Sequence, residues 1–325
     1  MPSDLPSYDQ LPVTPDAPPG SSWGVWGDIG TDTLGCLNLL TPERIVAAAA
    51  LVQRGTVFAL NLDATLPSPP LFGRASFTHE VTGRPGGFSH DDLLHNWNTQ
   101  SSSQWDGFRH VGSPVHGHYG GVADEAHGIH HWIGRIVGRA LLVDVGRWRE
   151  AQGRPLTYDA PDPITPEDVL GCIADQGTPA EDGDVLLLRT GWLSWYRAQS
   201  DERRAEIAQP TGLACPGLVP GEQTARLLWD LHVAAVAADN PALEVWPIGT
   251  FTEPAVAQED PSRWPEVFVH TALLPLLGIP IGELWDLDAL AEDCAATGTY
   301  ASFFTSAPLH IPNGVATPPN ALAIR

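Results

Sequence analysis

Short apolar runs, separated by glycine, proline and polar residues, follow one another along the chain, and each run carries the period of a single element. The β-branched and apolar run at residues 56–62 reads as a strand, as do 136–145 and 184–192, the latter ending in a turn at Trp192. Residues 233–238 form a small-residue strand ending at Asp239 and Asn240, and 300–309 form one with serine and threonine interspersed. Helices announce themselves by their caps. Thr41 followed by Pro42 places an N-cap before a proline at the first helical position, opening a helix that runs to Gln53 and ends near Gly55. Thr165 and Pro166 repeat the device, residues 221–231 form an amphipathic helix, and 287–293 form a short one. Residues 270–277 read as helical, stopped by Gly278 and Pro280.

Strands and helices alternate without a regular βαβ repeat, and no Gly-x-Gly-x-x-Gly occurs, so the pattern predicts a mixed α/β fold with no nucleotide cofactor. Residues 67–95 are polar, broken by Gly and Pro, and without a clear period; they read as a long loop, of the kind that borders active sites. Residues 1–22, rich in proline, serine and aspartate, read as an extended arm laid on a neighbouring subunit, with 23–325 as one domain.

Composition narrows the function. The net charge is −22, and all 17 basic residues are arginine, which rules out a Schiff-base lysine, a P-loop lysine and a lysine general base together. So acidic a surface repels phosphate backbones and anionic lipid, so neither nucleic acid nor membrane is an expected partner. Cys36, Cys172, Cys215 and Cys294 are scattered with no Cys-x-x-Cys, which predicts buried thiols in a reducing compartment. With no signal-like N-terminus and no long apolar run, a cytoplasmic location is expected.

The chemistry concentrates in residues 100–121. Asp106 and His110 lie four apart, an acid beside a base whose ordinary pKa is about 6.5. His116 and His118 sit at strand spacing, facing one side, which suits a metal pair or an exposed turn, with Tyr119 following. Trp23, Trp26, Trp97 and Trp105 are either core or the wall of a pocket for a flat ring. His127, His130 and His131 read as polar surface or interface.

Taken together, five segments resemble the cyclase family, which includes bacterial kynurenine formamidase and isatin hydrolase. They are Asp28-x-x-x-Asp-Thr-Leu-Gly-x-Leu-Asn38-Leu-Leu-Thr-Pro-Glu43, Gln104-Trp-Asp-Gly-x-x-His110, residues 184–192, Pro216-Gly-Leu, and His270-x-x-Leu-Leu-x-x-x-Gly-Ile-x-x-x-Glu283. The resemblance implies a swivelling β/β/α fold, a mixed sheet or barrel core flanked by helices. It also implies a metal-dependent hydrolase of amide or lactone bonds that forms a homodimer or homotetramer.

The family's metal motif, His-x-Gly-Thr-His-x-Asp-x-Pro-x-His, falls on Gln100, Gln104, Asp106 and His110, so two metal-binding histidines are replaced by glutamine. The later ligand pair falls on His270 and Glu283. What the resemblance implies is His110 moving protons with Asp106 and Glu283 beside it, and an ion held by Asp106, an amide oxygen of Gln104, His270 and Glu283. That oxygen-rich set favours manganese over zinc. Gln100, the four tryptophans, His116, His118 and Tyr119 would surround a small cyclic or aromatic substrate. The rival readings are a lyase or cyclase using His110 without a hydrolytic water, an ion-free site whose glutamines bind substrate directly, and a metal-free binding protein.

Overall fold

The structure is a computed structural model that describes residues 5–325. Its strands are β1 (Val57–Ala59), β2 (Thr78–Gly83), β3 (His90–His95), β4 (Gln104–Asp106), β5 (Val137–Val143), β6 (Pro163–Ile164) and β7 (Val185–Leu188). They continue as β8 (Gly217–Leu218), β9 (Ala235–Ala238), β10 (Ile281–Glu283), β11 (Ala301–Ser306), β12 (Ala316–Thr317) and β13 (Ala321–Ile324). Nine of them form one sheet in the order β1-β13-β11-β5-β7-β9-β10-β4-β12.

The middle of this sheet, β5-β7-β9-β10, is parallel, and the strands on either side join it antiparallel. Burial explains the sequence of the middle: β7 and β9 are covered on both faces and read as unbroken apolar runs, Val-Leu-Leu-Leu and Ala-Val-Ala-Ala. The sheet curls into a half-barrel flanked by helices, the mixed α/β architecture expected. Each cap read from the sequence forms: Thr41 accepts from the Arg44 N–H, and Thr165 caps Pro166–Gln176 with Asp168 completing a capping box. All four cysteines are buried and free.

Three expectations need correcting. Residues 67–95 are not a structureless loop, because β2 and β3 pair there as an antiparallel hairpin. Nearly every residue of that hairpin is exposed, so no buried face imposed an apolar alternation that could be read, and cross-strand pairs such as His79 with Asp92 (2.7 Å) link its strands. The strand at 184–192 stops at Leu188; Gly191, at φ 92°, turns the chain and Trp192 already begins the helix Trp192–Arg197. The helix from Pro42 ends at Ala49, short of Gln53.

The described part of the N-terminal segment lies on its own chain. Trp229 Nε1 donates to the Pro6 carbonyl (2.7 Å), the Tyr8 N–H to Asp230 (2.7 Å), and the Ser22 hydroxyl to the Leu277 carbonyl (2.9 Å). No helix among the described residues is long and apolar enough to cross a membrane.

Candidate active site

Strand alternation builds the floor of the site. Side chains on β4 alternate, so Gln104 and Asp106 point to one face and Trp105 to the other. There the Trp105 indole donates to the Ser306 hydroxyl (2.9 Å) and meets Trp285 edge-on at 4.7 Å. The antiparallel register of β10 sets Glu283 opposite Gln104, bringing the second carboxylate to the same face. His270 opens the helical turn before Gly278, and the irregular stretch Leu273–Leu277 accommodates Pro275 as a π-turn. His110 follows β4 in a turn closed by its own N–H on the Gly107 carbonyl (2.8 Å). Gln100 is set by the Asn98 side chain, which accepts from its N–H (2.8 Å).

The side chains then interlock. Gln100 Nε2 donates to Asp106 Oδ1 (2.8 Å) and lies 3.2 Å from His110 Nδ1. Gln104 Nε2 donates to Asp106 Oδ2 (3.2 Å) and to Glu283 Oε2. Arg74 Nη1 donates to the Gln100 carbonyl (2.6 Å) and to Gln104 Oε1 (3.2 Å). His270 is held between acids, with Nδ1 on Glu244 Oε1 (2.9 Å) and Nε2 3.2 Å from Glu283 Oε1.

Burial dominates the electrostatics, and neighbours decide which way each group goes. It pushes Glu283 up to about 7, reinforced by the Asp106 charge, and it raises Glu244 as well. Burial works against a charge on His270, but Glu244 and the hydrogen bonds to Asp106, Glu244 and Glu283 overcome it and hold the imidazolium well above the ordinary range. Asp106 also resists its burial, kept low by His110, His270 and Arg74. His110 goes the other way: burial lowers it, against the pull of Asp106, so its neutral ring is favoured near pH 7.

Over these groups opens a cavity of about 110 Å³. His110, His270 and Glu283 face it, Arg74 borders it, and Phe72, Trp246 and Phe268 wall it. Phe72 meets Trp246 edge-on at 5.1 Å, Arg74 lies over the Phe72 ring at 5.1 Å, and Phe268 stacks on His270 at 4.6 Å. Phe72 sits at φ 59°, a costly conformation for a bulky residue, and such strain concentrates at functional sites. A larger cavity of about 750 Å³ beside the helix Glu222–Asp230 has no histidine among its lining residues.

The structure thus brings Gln100, Gln104, Asp106, His110, His270 and Glu283 together from three parts of the chain. Trp23, Trp26, Trp97, Trp105, His116, His118 and Tyr119 are not among the residues lining this cavity. Trp23 donates to the Pro275 carbonyl (2.8 Å) with His116 at its edge, and Trp26 packs against the main core. His118 sits on the Phe108 carbonyl (2.9 Å), Tyr119 donates to Asp32 (3.1 Å), and Trp97 lines a separate cavity of about 200 Å³. Nearness to Asp106 in sequence did not place them on its face. Sequence reasoning missed Arg74, Glu244 and the aromatic wall; only Arg74 and Phe72 carried a signal, lying in the segment expected to border the site.

The chain matches the family model described as "Putative cyclase" over residues 42–245, and it belongs to the cyclase family. A crystal structure described as a novel cyclase is 32% identical, with a TM-score of 0.78, covering 94% of this chain and 99% of that one. Isatin hydrolase A from Ralstonia solanacearum shares the fold at 16% identity and a TM-score of 0.57, covering 88% and 98%. Isatin hydrolase A from Labrenzia aggregata, bound to benzyl benzoate, does so at 17% and 0.55, covering 86% and 97%. No curated protein matches.

Asp106, His110 and His270 each bring a ligand atom within 4.8 Å of the others, a grouping that could share an ion. The surrounding donors do not fit one. Gln104 turns its Oε1 to Arg74 and its N–H₂ to the two carboxylates, so the amide oxygen expected as a ligand faces away from them.

Proposed function

We propose that the chain is a hydrolase that opens an amide or lactone bond in a small cyclic or aromatic compound. The observation that carries this reading is the partly buried His110 facing a cavity walled by three aromatic rings, beside a single guanidinium. Aromatic walls hold a flat ring by its faces and edges. Burial of His110 favours the uncharged imidazole, whose free ring nitrogen is the base.

In this reading His110 takes a proton from water as the water oxygen attacks the carbonyl carbon, and the Arg74 charge balances the oxyanion. The C–N or C–O bond then breaks, and the imidazolium returns its proton to the leaving nitrogen or oxygen. Asp106 Oδ1, 3.9 Å from His110 Nε2, stabilises the imidazolium between the two steps. Glu244 fixes the ring of His270, and His270 with Gln104 fixes Glu283. No step runs through a metal ion.

The test is a panel of isatins, N-formyl aromatic amines and aromatic lactones, assayed in isotopically labelled water. Turnover with one labelled oxygen in the new carboxylate is the expected result. Turnover without label would replace hydrolysis by a lyase or cyclase reaction, and inertness across the panel would remove the substrate class.

A further inference from the structure

We infer that the Arg74–Gln104 pair fills the place of a divalent ion in this site, so that the protein binds none there. A guanidinium has only N–H groups to offer, so the amide of Gln104 must present its oxygen to Arg74, and it does so at 3.2 Å. Its N–H₂ is thereby turned to Asp106 Oδ2 and Glu283 Oε2, both acceptors when ionised. Rotating the amide by half a turn would set N–H₂ against the guanidinium and an oxygen against two carboxylates, so its orientation is determined from both ends. Ordinarily an amide's orientation is inferred from its network, and here both ends of the network agree.

Each carboxylate oxygen then has a donor. Asp106 Oδ1 accepts from Gln100 (2.8 Å), Asp106 Oδ2 and Glu283 Oε2 accept from Gln104, and Glu283 Oε1 faces His270 Nε2 at 3.2 Å. An ion joining the two acids would have to displace the amide that already bridges them. Every one of these groups except Gln100 and Arg74 is buried, so a displaced N–H finds no water and costs roughly 1–3 kcal/mol. The remaining grouping of Asp106, His110 and His270 is wider than a zinc tetrahedron. Asp106 oxygens lie 3.9 Å from His110 Nε2 and from His270 Nε2, whereas ligands at about 2.1 Å in a tetrahedron stand about 3.4 Å apart. The geometry also explains why two histidine positions of the family motif carry glutamine here. Gln100 and Gln104 act as donors to the acids, a role a metal-free site needs and a metal site does not, and Arg74 supplies the positive charge.

This inference concerns ion binding and holds whichever bond the site breaks, so its failure and that of the hydrolase reading are told apart by separate measurements. The test is elemental analysis of the full chain purified without chelator, with calorimetric titration of MnCl₂ and ZnCl₂ into the wild type and into the Gln100→His/Gln104→His double variant. The wild type should carry no stoichiometric metal and give no saturable binding up to about 1 mM of either ion, while the double variant should bind at least about 100-fold more tightly. Stoichiometric, chelator-resistant metal in the wild type would overturn the inference, and that result does not depend on how the variant folds. A folded double variant that binds ions no better than the wild type would overturn it too, by showing that the glutamines are not what excludes the ion.

Discussion

At the scale of single residues the protein rests on His110, the histidine of the site whose surroundings favour its uncharged form. Asparagine keeps a polar partner for Gln100 but cannot carry the proton, so His110→Asn should leave fold and substrate affinity intact and lower turnover by roughly 10²–10⁴-fold. Because burial depresses the His110 pKa, the neutral base persists below its ordinary value of about 6.5, and the acid limb of the rate profile should fall below that pH. The limb should vanish in the variant. Turnover within about threefold of wild type, or an unchanged limb, would take His110 out of the chemistry. The sequence exposed His110 and Asp106 because they are four apart in one segment. Glu244 stayed hidden and Arg74 showed only as part of a segment expected to border the site, since only the folded chain sets them against His270 and Gln104.

Elements matter here through how closely they approach. Gly282 on β10 lets the strand lie against β9 and under Trp285: a Cβ there would meet the Ala237 Cβ at 2.5 Å and Trp285 Nε1 at 2.8 Å. Trp285 in turn donates to the Gln104 carbonyl (3.0 Å), so that indole ties β4 to its own turn. Gly282→Ala should therefore cost about 1–3 kcal/mol by overpacking and also displace Glu283 beside it. Chemical denaturation of the variant and its turnover should fall together; wild-type stability would show that the sheet can widen freely at this point.

Over the whole molecule, buried acids set the response to pH. Burial raises Asp184 and Asp239 to about 6 and Glu283 to about 7, so the folded chain keeps protons that the unfolded chain has already released. Between the ordinary carboxylate range and these raised values the native state binds more protons, and stability is lost as pH rises through that window. The raised His270 acts in the same direction, its stabilisation present below its ordinary pKa and lost above its raised one, while His110 opposes them only below its ordinary value. The excess of acidic charge adds repulsion as pH rises. The urea midpoint should accordingly be higher at about pH 5.5 than at about pH 8, and the reverse order would contradict the raised acids.

What the amino-acid order determined by itself was whatever local physics dictates. Thr41 and Thr165 capped their helices, and the apolar runs of β7 and β9 became strands. Each depends only on neighbours a few residues away. The tertiary structure decided the rest. An exposed hairpin leaves no apolar period, so residues 78–95 could not be read as strands. The pocket wall joins Phe72, Trp246 and Phe268 across nearly two hundred residues, and no spacing encodes that meeting. The direction in which the Gln104 amide points was decided last, because it depends on a guanidinium thirty positions earlier and a carboxylate far later in the chain.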